Sequence, residues 1–429
     1  MARSGWVKPE GPERLGDHVS LGVLTRVFTP REVDAAIDRT GAAGQRNRLL
    51  PARMMVYYVM ALAMFSSGSY EEVMRSVLGG MEWITGRFRE WTMPTKAAIF
   101  KARTRLGSAV MIDLFDTCAK PVARPGGPGF YRNWRLVSVD GTVLDIPDTM
   151  ANERTYGRPG TNTEAKSAYP QAHLLGLVEC GTHAALGAVV SGCDTPEQTM
   201  YPGLLHKLET DMLVIADRGF FSFEAFRDSA ATGAQLLWRM KGNAVLPVHQ
   251  ELADGSYLSA VDEDTKQRRN NTDPIAVRVI EYTVTTGKDT GEFRLITTIL
   301  DPSAAPAEEL AEAYAQRWEI ETCFEELKTH QRGASVVLRS KTPDGVLQEI
   351  YGYLCVHYAL RSLIGEVARD LDEDPLRISF TRTLRAARRT LAAPGFFPLR
   401  NLPRPSPSSA GRSCMSCCLP GGNAATPAS

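Results

Sequence analysis

The chain has no apolar run near the roughly 20 residues that a bilayer-spanning helix needs. Its longest, residues 54–65, is shorter and carries Tyr57 and Tyr58, so a buried helix is expected there and no membrane partner. Net charge is also missing: 49 Lys and Arg stand against 49 Asp and Glu, which excludes a uniformly basic coat for nucleic acid. Cysteine is sparse, with eight among 429 residues, and its scatter makes no disulfide framework. A reducing, cytoplasmic setting is the expectation. No apolar stretch follows the basic residue near Met1, so no secretory signal is expected. Cys414, Cys417 and Cys418 do cluster, but tetrahedral zinc needs four ligands and no histidine lies nearby. The Pro, Ser, Gly and Ala around them make 401–429 read as a disordered tail, with a structural zinc as the less favoured alternative.

What is present is a globular composition, 43% apolar and 23% charged, long enough for two or three domains. The zero charge conceals a segregation. Residues 1–130 hold 18 basic and 12 acidic side chains, residues 131–321 hold 17 and 28, and residues 322–429 hold 14 and 9. An acidic centre thus lies between two basic flanks, and a partner responds to those local fields rather than to the sum.

Residues 18–120 read as helical. Thr29-Pro30-Arg31-Glu32 is a helix start, with Thr29 as the cap and Pro30 in the first turn. Residues 94–106 form a further helix capped by Thr95 and carrying Lys96, Lys101, Arg103 and Arg105. That helix reads equally as a DNA-reading helix of a helix-turn-helix or as an ordinary solvated face. Pro and Gly at 121–131 mark a linker. Strands follow at 135–140, 172–179 and 183–190, the last two joined by a hairpin at Cys180-Gly-Thr182. A helix at 198–208, a strand at 212–217, a helix through 223–226 and a strand at 235–240 complete a mixed α/β pattern. Residues 246–300 are β-rich, with runs at 275–286 and 292–300 around a turn at 287–291. Long helices are expected at 306–330 and 346–368, the second buried on one face.

Asp140 and Asp217 each close an apolar strand run, the edge where ligands gather in open α/β sheets. One such aspartate is more often a turn or cap residue; two, with a third acid, suggest chemistry. At about 100° per residue, Tyr314, Arg317, Glu321 and Lys328 fall within an arc of about 60° on the 306–330 helix. A water-facing polar stripe is the plain reading of that arc. A phosphate and metal site is the sharper one, since Arg forks and Lys point charges grip phosphate oxygens. Three carboxylates can hold two divalent ions for in-line displacement at phosphorus. Their mutual repulsion predicts a site poorly formed without metal.

Ser138-Val-Asp-Gly-Thr142 with Pro147-Asp148, Ile215-Ala-Asp-Arg-Gly-Phe220, and Tyr314-x2-Arg317-x3-Glu321-x6-Lys328 resemble the three motifs of bacterial DDE transposases. The match is to the insertion-sequence-four family with its Tyr-Arg-Glu-Lys signature, and it spans residues 18–365. The resemblance implies a ribonuclease H-like mixed sheet flanked by helices, with a helical N-terminal domain and a β-rich insertion before the last catalytic acid. It divides the chain into a helical DNA-binding domain (1–125), a catalytic domain (131–245 with 301–400), the insertion (246–300) and the tail (401–429).

It further implies that Asp140, Asp217 and Glu321 are catalytic metal ligands for two Mg2+ ions, with Mn2+ able to substitute. Tyr314, Arg317 and Lys328 would contact transposon-end phosphates. Double-stranded DNA, both transposon ends and target, is the implied partner, bound by a homodimer in the nucleoid of the cytoplasm. Some members of the family flip a base onto a tryptophan of the insertion. Residues 246–300 hold none, and their aromatic side chains are Tyr257, Tyr282 and Phe293. Asp145, Asp148 and the seven histidines are read as structural. Two alternatives stand beside the transposase reading: a transposase-derived DNA-binding protein without catalysis, and a stand-alone ribonuclease H-like nuclease.

Overall fold

The computed structural model describes residues 22–44, 50–85, 93–160, 167–262, 274–286, 289–333 and 337–392. The Cys414, Cys417 and Cys418 cluster, the 401–429 tail and the first two residues of the 287–291 turn lie outside the described residues.

The N-terminal helices are α1 (Val23–Val27), α2 (Pro30–Arg39), α3 (Ala52–Met64), α4 (Tyr70–Thr85), α5 (Lys96–Leu106) and α6 (Ala109–Cys118). Helix α2 starts in a capping box in which Thr29 and Glu32 satisfy each other's backbone amides. Helix α3 is buried from Met54 to Met64. Its tyrosines are not surface residues but hydrogen-bond donors to carbonyls, Tyr57 to Phe28 at 2.7 Å and Tyr58 to Tyr70 at 2.8 Å. On α5, capped by Thr95 as expected, one of the four cations is buried: Arg103 donates to Gln348, Ser340 and the Gly345 carbonyl. Arg105 is exposed and donates to the Leu50 carbonyl.

Strands β1 (Phe130–Tyr131), β2 (Trp134–Asp145), β3 (Gln171–Glu179), β4 (Ala185–Gly192), β5 (Met212–Ala216), β6 (Gln235–Arg239), β7 (Gln250–Glu251), β8 (Tyr257–Val261), β9 (Ile275–Thr286) and β10 (Asp289–Thr297) form one sheet. Its order is β4-β3-β2-β5-β6-β10-β9-β8-β7, with β1 paired to β2. The β2-β3-β4 meander is antiparallel, and β5 and β6 then pair parallel beside β2. This is the ribonuclease H-like order. The β-rich segment does not stand apart: β10 pairs antiparallel with β6, so β7–β10 extend the same sheet.

Between the strands lie α7 (Met150–Tyr156), α8 (Glu197–Met200) and α9 (Phe223–Ala231). The helix expected at 198–208 is only α8 followed by a 3-10 turn, Tyr201–Lys207, because Pro202 lacks the amide that would continue α8. The long helix expected at 306–330 is α10 (Ala307–Ala315), a 3-10 turn (Gln316–Trp318), α11 (Glu319–Glu325) and a π turn (Glu326–Gln331). Then come α12 (Pro343–Leu371) and α13 (Phe380–Ala392). Helix α12 is buried all round from Ile350 to Leu360 rather than on one face, because α3 and α6 cover one side and β4 and the π turn the other.

Where the 121–131 segment meets the β3–β4 hairpin, two backbones cross at Gly129 and Gly181. A Cβ on Gly181 would sit 2.3 Å from Gly129 Cα, and that neighbour is backbone that cannot rotate away. We expect Gly181→Ala to destabilise the fold by about 1–3 kcal/mol, as overpacking does, read as a lower melting temperature. An unchanged melting curve would show that the crossing is looser than described.

Candidate active site

The site begins with strand register. β2 and β5 run parallel with Val139 opposite Ala216, so the next residues, Asp140 and Asp217, emerge side by side. Asp217 follows the last residue of the fully buried β5. Asp140, read as the end of its strand, instead lies within β2. Antiparallel pairing with β3 carries the strand on to Asp145 opposite Gln171. Asp140 thus sits just past the end of the parallel pairing, which keeps it at the carboxyl edge of β5.

Side chains alternate across a strand, so Ser138, Asp140 and Thr142 share one face of β2. The segment from α10 through the π turn crosses that face and meets all three. The Ser138 hydroxyl donates to the Arg317 carbonyl at 3.4 Å, the Arg317 guanidinium lies 3.6 Å from Asp140, and Lys328 Nζ donates to Thr142 Oγ1 at 3.0 Å. Gly176 of β3 is opposite Asp140. A Cβ there would lie 3.2 Å from the Phe324 ring, so the bare backbone is what admits α11 against the sheet.

The stripe of Tyr314, Arg317, Glu321 and Lys328 therefore does not face water as a whole. Tyr314 and Arg317 are buried, Lys328 is half-buried and Glu321 is exposed. Each aspartate is met by an arginine seated on an aromatic ring. Arg317 stacks on Trp318 at 4.1 Å, while Arg239 stacks on Phe293 at 4.1 Å and lies 3.8 Å from Asp217. Phe293 in turn stacks on Tyr282. The Tyr314 hydroxyl points to Asp217 at 3.4 Å. Trp318 is 57% exposed, so its outer face is open.

Burial is the main cause that pushes the Asp140 carboxyl up to about 6. Glu197 and Glu321 add to it, while the Gly141 amide (2.8 Å) and Arg317 oppose it. Burial, helped by Arg332, also lowers Lys328 against the pull of Asp145. Among the described residues, no three His, Cys, Asp or Glu side chains are drawn closely enough together to hold a metal ion as they stand. Their donor chemistry nevertheless fits a hard divalent cation. Asp140, Asp217 and Glu321 offer carboxylate oxygens only, and a carboxyl raised by burial and by like charge is one that a cation would re-ionise.

A buried ionic cluster supports the helix from its far side. His183, in the β3–β4 hairpin, hydrogen-bonds Glu319 at 2.7 Å. Glu326 accepts from Arg361 Nε at 2.9 Å and lies 3.1 Å from His357 Nε2, and Arg361 Nη2 reaches His183 Nδ1 at 2.8 Å. Burial alone would raise Glu326. Hydrogen bonds from His183 and His357 and the charge of Arg361 hold it well below the usual carboxylate range instead. The π turn carries both roles, with Glu326 turned to this cluster and Lys328 to Thr142.

Sequence reasoning missed Arg239, although it ends β6 at the same strand edge as Asp217 and that position was the available signal. His183 and His357, read as structural, are so: they hold the helix rather than the edge.

Residues 134–358 match the family described as transposase DDE domain, and residues 18–116 match the insertion element 4 transposase N-terminal region. The transposase InsG for insertion sequence element IS4 of Escherichia coli (strain K12) is 23% identical over 386 residues, 88% of this chain and 86% of that one. The putative transposase InsZ of the same organism is 24% identical over 197 residues, 45% of this chain and 62% of that one. A solved piggyBac transposase synaptic complex with hairpin DNA aligns over 94% of this chain and 86% of that one, at 11% identity and a TM-score of 0.44.

The fold and the matched domain are those of a DDE enzyme of phosphoryl transfer. The chain belongs to the DDE transposases of the insertion element 4 family. It is a DNA transposase, with DNA as partner, a divalent metal as cofactor, and cutting and joining of DNA as its activity. No described helix is long and apolar enough to cross a membrane.

An acid raised from 3.8 to about 6 favours the folded state when protonated. Its contribution is present below the unfolded value and is lost as pH rises through about 6. Without divalent metal, Asp140→Asn should therefore melt above the wild type at pH 7.5, by about 1–3 kcal/mol, and the gap should close below pH 4. A variant that melts lower at pH 7.5 would contradict this.

Proposed function

We propose that Asp140, Asp217 and Glu321 are the catalytic acids of this transposase and hold two Mg2+ ions, for which Mn2+ substitutes. Tyr314, Arg317 and Lys328 contact phosphates of the transposon end. The observation that carries this reading is the Asp140–Asp217 row at the end of the β2–β5 pairing, with the Arg317-bearing segment laid across it.

Divalent ions bound by those carboxylates supply Lewis-acid polarisation of the phosphate and of the attacking oxygen. In cleavage a water oxygen bonds to phosphorus, the bond to the 3′-oxygen breaks, and that oxygen takes a proton to leave as a 3′-hydroxyl. In joining, the 3′-hydroxyl loses its proton, its oxygen bonds to a target phosphorus, and a target 3′-oxygen leaves. The chain's own groups orient these partners. Arg317, clamped between Asp140 and Trp318, offers a preset fork to phosphate oxygens. Lys328, positioned by Thr142, adds a point charge about three turns further along the same segment, and the Tyr314 hydroxyl adds a donor beside Asp217.

Residues 1–125 serve as a DNA-binding domain, 131–245 with 301–400 as the catalytic domain, and 246–300 as its β-rich insertion. Joining two ends needs two active sites, so the acting form is a homodimer on DNA, associated with the nucleoid in the cytoplasm.

A cleavage assay on a labelled element end with Mg2+ tests the assignment. Glu321→Gln and Asp217→Asn should each lower the rate by roughly a thousandfold or more, the several kcal/mol of metal-borne stabilisation, with DNA binding retained. Wild-type rates from either variant would sink it.

A further inference from the structure

The first two residues of α8 reach the chain at both aspartates. Gln198 Nε2 donates to the Gly219 carbonyl at 2.8 Å and to the Phe221 carbonyl at 3.2 Å, which ties α8 to the loop that follows Asp217. Glu197 comes to Asp140 from behind. Side chains alternate along β2, so a side chain at Gly141 would point away from the face that carries Asp140. A Cβ there would overlap Glu197 Oε1 outright and sit 2.8 Å from His173 Nε2. The Glu197 carboxylate thus fills the space that a side chain at 141 would take. His173, across from Val143 in the β2–β3 pairing, donates from Nδ1 to the Thr195 carbonyl at 3.0 Å and turns Nε2 to Glu197 at 3.5 Å. On its other side Gly141 donates its amide to the Asp140 carboxylate at 2.8 Å. One glycine backbone therefore stands between two carboxylates, holding the first and packed on the second. After burial, which is the main cause, the acid that raises Asp140 most is Glu197, ahead of Glu321.

We propose that Glu197 is a positioning residue of the active site: from behind Gly141 its negative charge strengthens the hold of Asp140 on a divalent cation, without binding the cation itself. This rests on the reading that Asp140 is a metal ligand. An anion fixed behind a ligand is unfavourable while both carboxylates are charged and the site is empty. It becomes favourable when a cation arrives, and a doubly charged ion gains twice what a proton does. Glu197 is held in that place by the Gly141 backbone it packs on, by His173 beside it and by Gln198 next in the chain. Its side chain is 30% exposed, so solvent screens part of the field. A half-screened unit charge at such range is worth roughly three- to tenfold in cation affinity. A prop that only packs under the strand would leave that affinity alone, and the test separates the two.

The test uses the full chain without DNA and Mn2+ as the probe, and reads the rise in melting temperature across a Mn2+ titration at about pH 8. Glu197→Gln keeps the size of the side chain and an oxygen for His173 but loses the charge. Its midpoint should move to roughly three- to tenfold more Mn2+ than the wild type needs. His173→Gln takes away no negative charge, so its midpoint should stay at the wild-type value or fall below it. In the cleavage assay the Mg2+ needed for half the maximal rate should rise in Glu197→Gln by the same factor. A midpoint shift under about twofold in Glu197→Gln overturns the proposal. So does a His173→Gln midpoint raised as far as that of Glu197→Gln, which would make the pair a packing prop. Asp140→Asn separates this inference from the reading beneath it and should lose most of the Mn2+-induced rise. Should Asp140→Asn keep the whole rise, the ligand reading of Asp140 falls and the role of Glu197 with it. Loss of the rise in Asp140→Asn beside an unshifted Glu197→Gln would remove only the role of Glu197.

Discussion

The parallel register of β2 against β5 is the constraint on which the site depends. With Val139 opposite Ala216, the two aspartates come out in one row, and Ser138, Asp140 and Thr142 all face the crossing segment. A slip by one residue would turn every one of them to the other side of the sheet. Apolar burial holds the register. β5 is buried from Met212 to Ala216, and Leu136 to Val139 of β2 pack beside it.

Electrostatics then compensate for what that register brings together. Two carboxylates in one row repel, and each has an arginine near it whose planar charge rests on an aromatic ring. Stacking costs an arginine none of its hydrogen-bonding edge, so the same groups remain able to meet phosphate. Beneath the crossing segment the balance is made differently, by Glu319, Glu326, His183, His357 and Arg361 in a nearly dry cluster. Removing one member would leave the others charged and buried, the costly case. The cluster therefore fastens the segment that carries Glu321, and the 3-10 and π turns within that segment let it serve sheet and cluster at once.

Much of this was legible from residue types alone. Thr29 and Glu32 announce their capping box, and the apolar run with Tyr57 and Tyr58 announces a buried helix. The strands about Asp140 and Asp217 announce a mixed sheet. The spacing from Tyr314 to Lys328 announces that four polar side chains share a side. What was not legible came from long-range pairing. The continuation of β2 past Asp140 depends on β3, which local alternation does not reveal. The addition of β10 to β6 makes the β-rich segment part of the main sheet, and Arg239 comes to Asp217 through that sheet. The broken course of the 306–330 segment follows from what it packs against, since its residues taken alone are good helix formers.

The order of residues by itself determined most of the element types, the caps it announced, the charge segregation and the family, because each is a property of composition and short-range spacing. Which side chains share a surface is a different matter. Only the tertiary structure decided that Arg317 turns to Asp140, that Arg239 stands by Asp217, and that Glu197 packs behind Gly141. These pairings join residues tens or hundreds of positions apart. They are set by sheet register and helix packing, which minimise exposed apolar surface over the whole chain at once.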